Sequence, residues 1–266
     1  GAALVVTSNT DNRLSGVTLD CDLDLSAGSA ALRIAGGLTL NATITLSGGS
    51  SALGFEGDST IEGAGSIVFS GTGGNNRGLV QASAGTLTIG PDITIEGGRG
   101  SIGGCIRYCA EMSLINQGSI LANVPGQTLI VETRGGTFTN EGILQAEGGA
   151  TLDIRNLTGN LGTASVTNGG ALILNGVYTI DQALPVTDST LTLRGDWSNL
   201  GTIDATNSTT NIGSPFSLTD LGTFNRTDGQ VNVSAGGTLD NTGGTLALDA
   251  TTGSWHLNGG TLEGGT

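Results

Sequence analysis

Three carboxylates at alternate positions form the densest acidic set of the sequence. Asp20, Asp22 and Asp24 alternate with other residues, which would place them on one face of a strand. Clustered carboxylate oxygens suit a hard cation such as Ca²⁺, and paired carboxylates can hydrolyse glycosidic bonds. A solvated strand gives the same pattern without chemistry. Calcium is therefore the one metal candidate, and no other cofactor is expected.

The cysteines are the next reactive group. The chain has 3 Cys, so at least one is unpaired within the monomer. Cys21 lies among leucines and is expected to be a small core residue. Cys105 and Cys109 are close enough in sequence to form a local disulfide, which would fit an oxidising compartment. Zinc is not expected, because the only histidine is His256.

Two segments interrupt the alternation and are interpreted as inserted loops. The first, GGRGSIGGCIRYCAEM (97–112), carries three binding candidates, Arg99, Arg107 and Tyr108. The second is TIDQALPVTD (179–188). Loops on a rigid scaffold often carry function, although variation of loop length without function is the simpler interpretation of both.

Other catalytic patterns lack support. The chain has no Lys and one His, so Schiff-base chemistry is excluded and a base for a nucleophile is scarce. No GxSxG occurs. The GxGxxG that begins at Gly98 lacks the strand–helix context and the later acidic residue of a dinucleotide site. We therefore expect no enzyme, with a polysaccharide-cleaving protein as the alternative.

Composition narrows the class of protein. The 266 residues include 48 Gly, with 3% aromatic and 12% charged residues and a net charge of −14. Scarce aromatics indicate a thin aliphatic core. Nucleic acid and anionic membrane surfaces are not expected partners, because both need basic patches. No apolar run of membrane-spanning length occurs, so this segment is not expected to insert into a membrane.

A repeat of short alternating runs dominates the chain. Each repeat begins at an apolar residue and has another apolar residue six positions later, as at Leu38 and Ile44. The predicted starts are Leu19, Leu38, Ile61, Leu87, Leu114, Phe138, Val166, Trp197, Leu218 and, less regularly, Leu239. Successive starts lie roughly 20–30 residues apart, and a period of this length with turns of varying length is typical of a solenoid.

An inner pair of polar and small residues marks the later repeats. Asn or Asp follows the start by two positions and Gly by four. The pairs are Asn116 and Gly118, Asn140 and Gly142, Asn168 and Gly170, Asn199 and Gly201, Asp220 and Gly222, and Asn241 and Gly243. Stacked amides can bond from turn to turn as a ladder, and we expect Gly to supply a positive φ at the corner.

These features predict an all-β parallel β-solenoid with two or three strands per coil. About ten to eleven coils of roughly 20–30 residues would form a single domain over 1–266 and a rod of roughly 50 Å. Right-handed winding is favoured, because parallel crossovers are mostly right-handed. Neither end has a capping element, so we expect a piece of a longer protein whose adjoining coils continue the stack.

Three repeats carry a resemblance to known proteins. SLINQGSILAN, TFTNEGILQAEGGATLDI and DWSNLGTIDATNST resemble the repeat regions of bacterial secreted β-solenoid adhesins, of the filamentous haemagglutinin-like and autotransporter-passenger types. The resemblance lies in repeat style and covers most of the chain. It implies an extracellular or cell-surface stalk that displays adhesive surfaces to glycans or proteins of host or neighbouring cells. No functional residue transfers from it.

The predicted function is thus a non-catalytic adhesin or structural stalk segment. The alternative is a carbohydrate-active β-helix that binds or cleaves a polysaccharide. A lesser alternative is an ice-binding solenoid, which would need threonine pairs aligned on one flat sheet. The available pairs, at Thr43/Thr45, Thr86/Thr88, Thr137/Thr139 and Thr190/Thr192, occur in shifting registers.

Overall fold

The predicted parallel β-solenoid is confirmed by a computed structural model, which describes residues 4–71, 76–249 and 252–265. It has about 11 turns and almost no helix. The strands in chain order are β1 (Arg13–Leu19), β2 (Leu23–Asp24), β3 (Ala31–Leu40), β4 (Thr43–Leu46), β5 (Ala52–Glu56), β6 (Ser59–Glu62), β7 (Ser66–Phe69), β8 (Gly78–Ser83), β9 (Gly85–Ile89), β10 (Thr94–Gly97), β11 (Gly100–Gly103), β12 (Met112–Asn116), β13 (Ser119–Ala122), β14 (Thr128–Glu132), β15 (Gly135–Asn140), β16 (Ile143–Glu147), β17 (Thr151–Asn160), β18 (Thr163–Thr167), β19 (Ala171–Ile180), β20 (Ala183–Thr187), β21 (Thr190–Leu193), β22 (Asp196–Asn199), β23 (Thr202–Thr206), β24 (Thr209–Ile212), β25 (Pro215–Ser217), β26 (Thr223–Thr227), β27 (Gln230–Ser234), β28 (Thr238–Asp240), β29 (Trp255–Asn258) and β30 (Thr261–Glu263). One short helix, α1 (Leu218–Leu221), lies between β25 and β26.

The rod has three faces, and all strand pairings between turns in the described ranges are parallel. A 17-stranded sheet folds over one corner and covers two faces. The first face includes β5, β8, β11, β14, β21, β24, β27 and β29, and the second includes β6, β9, β12, β15 and β22. β1, β3, β17 and β19 bend and pass through both. The second face continues in the three-stranded sheet of β25, β28 and β30, and the third face is the ten-stranded sheet.

Alternating side chains build one core along the axis. In β4 the sequence TITL points Ile44 and Leu46 inward and its threonines outward. Ile44 stacks on Ile67, followed by Ile95 and Ile120 on the next turns, all buried. Burying such a side chain stabilises by about 1.5–3 kcal/mol relative to exposure. Each turn therefore gains its stability from its neighbours.

The predicted repeat register is right for some turns and two residues out for others. Leu38 lies opposite Ile61, as predicted. However, Leu19 pairs with Leu40, and Ile61 pairs with Ile89, so the predicted starts at Leu19 and Leu87 are each displaced by two positions. A shift of two residues keeps the same side chains inward. Alternation alone therefore does not distinguish these registers.

Three further sequence assignments are corrected. Val166 lies in β18 on the third face, and Leu218 begins α1, so neither starts a repeat on the second face. The segment 179–188 is no inserted loop, because β20 pairs there with β18 and β23. The misplaced start at Val166 produced the apparent excess length. α1 is the insertion that alternation did not predict. No helix in the described ranges is long and apolar enough to cross a membrane.

Buried asparagines mark the corner between the second and third faces. Asn116 donates from Nδ2 to Asn140 Oδ1 at 2.7 Å, and Asn140 donates to the carbonyl of Leu161 at 2.6 Å. Asn199 donates to two backbone carbonyls of the next turn. Asn241 is buried after β28. The amides of Asn116, Asn140 and Asn199 thus each tie one turn to the next.

Two members of the predicted column lie elsewhere. Asn168 is exposed, with a φ of 54°, near the corner where the third face returns to the first. Asp220 belongs to α1, where its carboxylate accepts hydrogen bonds from the backbone N–H and the hydroxyl of Ser217. Both were assigned to the column because each lies two positions after a misassigned start, Val166 or Leu218.

The corner glycines serve a different purpose from the predicted one. Gly118, Gly142 and Gly201 do not have positive φ. A Cβ on Gly118 would overlap the carbonyl oxygen of Ile93 in the preceding turn. In the same way, a Cβ on Gly142 would overlap the carbonyl oxygen of Gly118, and one on Gly201 that of Gln182. Gly170 meets Ala146 in the same way at its own corner, whereas Gly222 and Gly243 do have positive φ, 57° and 74°. Close approach of successive turns, rather than backbone conformation, excludes a side chain at the first four positions.

Candidate functional site

The interrupted segment 97–112 divides into a strand and a short disulfide loop. Its first part forms β11, which pairs with β8 and β14 on the first face. Residues 104–111, which we call the strap, follow it and contain the disulfide between Cys105 and Cys109. Instead of protruding, the strap lies on the outer side of the first face.

The strap reaches across the first face to the start of the described chain. The Tyr108 hydroxyl donates to the carbonyl of Thr10 at 2.9 Å, and the Arg107 guanidinium donates to the carbonyl of Ser8 at 2.7 Å. The Tyr108 ring lies on Gly54, where a Cβ would come within 2.6 Å of it. Burial raises the pKa of Tyr108, while nearby arginines oppose that rise. Both binding candidates therefore bond to the protein's own backbone.

Arg99, the third loop candidate, lies before β11 in a left-handed conformation, with a φ of 54°. Its carbonyl accepts a long hydrogen bond, 3.5 Å, from Arg77. Arg77 is 2% exposed and also donates to the carbonyl of Ser47, and burial lowers its pKa, with Arg99 contributing. Sequence reasoning did not identify Arg77, because a lone arginine beside glycines gives no signal of burial.

The three N-terminal carboxylates do not converge. Asp20 accepts a hydrogen bond from Asn41 Nδ2, Asp22 from the backbone N–H of Thr43, and Asp24 from the hydroxyl of Ser47, at 2.6–2.9 Å. All three are exposed. Among the residues that the structure describes, no group of three His, Cys, Asp or Glu side chains could hold a metal ion. These aspartates connect the first turn to the second.

Cys21 is exposed, contrary to the predicted core position. β1 ends at Leu19 and β2 begins at Leu23, so a corner interrupts the alternation between them. The alternating leucines around Cys21 indicate a continuous strand and give no sign of this corner. His256, in contrast, is an exposed residue of β29, and its Nδ1 lies 2.7 Å from Gln230 Nε2.

A groove on the second face is the concave feature that sequence reasoning missed. It has a volume of about 560 Å³ and crosses the first four turns. We call it the threonine groove. Its lining residues are Gly16, Val17, Thr18, Gly36, Gly37, Leu38, Thr39, Asp58, Ser59, Thr60, Glu62, Thr86 and Thr88. Its signal in the sequence is the set of corner glycines beside outward threonines.

Glycine corners create the depression. Gly16, Gly36 and Gly37 have φ values of 59°, 71° and 80°, which favour glycine over residues with a Cβ. Space above Gly16 and Gly36 is open, with no atom within 4 Å of a Cβ on the former and one at 3.9 Å for the latter. The next two turns carry Asp58 and Thr86 at this corner, and Asp58 accepts the backbone N–H of Thr86 at 2.8 Å.

The threonine pairs named from the sequence are spread over all three faces. Thr43/Thr45 lie on the third face, Thr86/Thr88 and Thr137/Thr139 on the second, and Thr190/Thr192 on the first. A different row is aligned on the third face, where Thr167, Thr187, Thr206 and Thr227 pair directly in successive turns. Register between turns, which the sequence does not give, decides these alignments.

Comparisons with known proteins give no identification. A scan against protein-family models and searches of curated proteins and of solved structures found no match. The functional argument therefore rests on the sequence and the structure.

Proposed function

We propose that this chain is a non-catalytic segment of a cell-surface or secreted adhesin, in which the solenoid spaces and displays binding surfaces. The observation that carries the proposal is the unbroken stack, since one apolar core continues through about 11 turns. At roughly 4.8 Å per turn, this stack spans roughly 50 Å. A rod of this kind holds its outward side chains at fixed intervals.

An extracellular location is part of the proposal. The disulfide between Cys105 and Cys109 favours an oxidising compartment. The net charge of −14 favours solubility and opposes attachment to anionic surfaces. The repeat style resembles that of bacterial secreted adhesins. We propose as partners the glycans or proteins of host or neighbouring cells, together with adjoining coils of a longer parent chain.

A carbohydrate-active β-helix is the second candidate, and the threonine groove favours it. Asp58 and Glu62 both line this groove, and most glycosidases use two carboxylates as their catalytic residues. However, Asp58 accepts a hydrogen bond from the backbone N–H of Thr86 in the next turn, which is a structural role at a corner. Display without cleavage therefore accounts better for the arrangement.

The aligned threonines of the third face favour ice binding as a lesser candidate, because they form the regular hydroxyl row that such a face needs. Thr202 and Thr223 add to it in two turns, although Ala183 and Pro185 interrupt the surface of β20. Thermal hysteresis of the purified chain would test it, and its absence would remove this candidate.

The main proposal is tested by measuring shape, binding and turnover on the same protein. Small-angle X-ray scattering should give an elongated rod, and a glycan array with a panel of immobilised host proteins should report binding. A reducing-sugar assay with neutral and acidic polysaccharides should show no release above buffer. Turnover of any polysaccharide would overturn the non-catalytic proposal, and the Glu62→Gln variant would then show whether the groove is responsible.

A further inference from the structure

We infer that the threonine groove binds a neutral glycan chain that lies along the rod axis. The inference rests on the proposed function, because it names the partner of a displayed surface. With a volume of about 560 Å³, the groove is of the size that ligand sites usually have. It is also larger than three other grooves of the rod, which measure about 290, 330 and 350 Å³.

Polar side chains repeat along the groove at the spacing of the turns. Thr18 lies opposite Thr39, and Thr39 lies opposite Glu62, so that two hydroxyls and a carboxylate follow one another along the rod. Beside them, Thr60 lies opposite Thr88. Neighbouring parallel strands are roughly 4.8 Å apart. Successive turns therefore offer hydrogen bonds at intervals of roughly one sugar unit of an extended chain.

The glycine corner gives such a chain room beside these groups. Because Gly16, Gly36 and Gly37 carry no side chains, the backbone itself forms part of the lining. A ligand can therefore approach the backbone of the first two turns closely.

The chemistry of the lining selects a neutral ligand. The groove has threonine hydroxyls and the carboxylates of Asp58 and Glu62, and its thirteen lining residues include no arginine, histidine or aromatic residue. Two carboxylates oppose uronic acids, sulfated sugars and phosphates by charge repulsion. A carboxylate accepts hydrogen bonds from sugar hydroxyls with both oxygens, and threonine can donate or accept. Neutral sugars have hydroxyls that can donate to the carboxylates and bond to the threonines, and they have no negative charge for the carboxylates to repel.

A divalent cation fits the groove less well. Hard cations such as Ca²⁺ take six to eight oxygen ligands, whereas the lining supplies two carboxylates, one of which holds the Thr86 N–H. No metal cluster was found among the described residues. A cation-dependent ligand is therefore an outcome that would contradict the inference.

Isothermal titration calorimetry on the 266-residue chain tests the inference with oligosaccharides of stated chemistry. The neutral probes are cellohexaose, laminarihexaose, mannohexaose and maltohexaose, and the acidic probe is hexagalacturonate. We expect at least one neutral hexasaccharide to bind, with no dependence on EDTA, and the acidic one not to bind. Failure of all four neutral probes, preference for the acidic probe or a requirement for a cation would each overturn it.

Matched variants locate the binding. Thr39→Val and Thr60→Val remove one groove hydroxyl each at nearly constant volume, and each should weaken binding roughly five- to tenfold, the effect of about one hydrogen bond. Glu62→Gln should weaken it by a similar factor. Thr45→Val changes an outward threonine of β4 on the third face and should leave affinity unchanged. Equal weakening by Thr45→Val would overturn the assignment to the groove.

These outcomes separate the inference from the proposed function. If no neutral glycan binds but the chain remains a rod without turnover, only the groove assignment fails. If a neutral glycan binds and is cleaved, the groove assignment stands and the non-catalytic proposal fails. Circular dichroism of each variant, compared with the wild-type spectrum, shows that a loss of binding does not come from unfolding.

Discussion

The buried asparagine corners and the exposed strap both join separate turns, but they do so by different means. At the corners, side-chain amides such as that of Asn140 are 3% exposed and bond to the next turn. The strap instead crosses the outside of the first face, where Cys105 and Cys109 are exposed and Arg107 bonds to the backbone far back in the chain. The corners repeat with the solenoid, whereas the strap occurs once.

This difference predicts how strongly the protein depends on each region. A corner is surrounded by other turns, so a change there disturbs backbone that cannot move away. The strap is surrounded by solvent on one side, so it can open without separating the turns beneath it. We therefore expect corner variants to change global stability and strap variants to change local opening.

The largest effect is expected for Gly142→Ala. The added Cβ would overlap the carbonyl of Gly118 in the preceding turn, and a backbone oxygen has no alternative rotamer. Overpacking of this kind costs typically about 1–3 kcal/mol, and we expect the upper end because the contact is with backbone. Urea denaturation followed by circular dichroism would measure the loss of unfolding free energy.

Gly49→Ala is the matched control for that substitution. Its φ lies outside the left-handed region, and no atom lies within 4 Å of the added Cβ. Removing a glycine from the unfolded ensemble should leave stability unchanged or raise it by about 0.4–1 kcal/mol. If Gly142→Ala behaved like this control, close approach of turns would not explain the corner glycines.

A second corner variant, Asn140→Ala, should cost somewhat less, about 2–3 kcal/mol. It removes the acceptor of Asn116 Nδ2 and the donor to the carbonyl of Leu161, and each buried polar group left without a partner costs roughly 1–3 kcal/mol. Relaxation of the corner offsets part of this sum. The same urea denaturation measures it.

An exposed amide provides the comparison for Asn140. Asn225 donates to Asp204 of the preceding turn at 2.7 Å, but on the outer surface of the third face. Water can replace that bond, so Asn225→Ala should cost less than about 0.5 kcal/mol. Similar losses for Asn140→Ala and Asn225→Ala would show that burial of the ladder contributes nothing to stability.

The same contrast explains which features the sequence could predict. Alternation within a strand, as in TITL at Thr43–Leu46, depends only on neighbouring residues, and it predicted the solenoid correctly. The strap depends on a contact between Tyr108 and Thr10, 98 residues apart. The groove depends on Thr39 lying opposite Glu62, and a shift of two residues leaves the apolar pattern unchanged. Local pattern therefore predicts strands and core, but not the surfaces that the register assembles.

The corner residues show how a correct pattern can have a different cause. Gly142 was expected at a corner, and it is there, but its φ is not positive. The requirement comes from the turn beneath it, which single-sequence reasoning cannot place. Asn168 fits the same spacing and yet lies exposed on another corner. Spacing identifies candidates for a column, and only the register between turns identifies its members.

A smaller global effect than that of the buried corner variants is expected for the double variant Cys105→Ser and Cys109→Ser. A disulfide that closes so short a loop restricts the unfolded chain by roughly 2 kcal/mol at most. Because the strap can open by itself, most of this effect should appear as faster hydrogen exchange in β5 and β8 beneath it, measured by mass spectrometry. The midpoint of global unfolding should move little.

Cys21→Ser is the control for the disulfide variant, because Cys21 is exposed and outside the strap. It should leave exchange in β5 and β8 at the wild-type rate. Tyr108→Phe retains the ring on Gly54 but removes the hydrogen bond to Thr10, so exchange should increase less than in the double cysteine variant. A double variant whose global stability fell as far as that of Gly142→Ala would contradict the distinction, because the strap would then support the stack as the corners do.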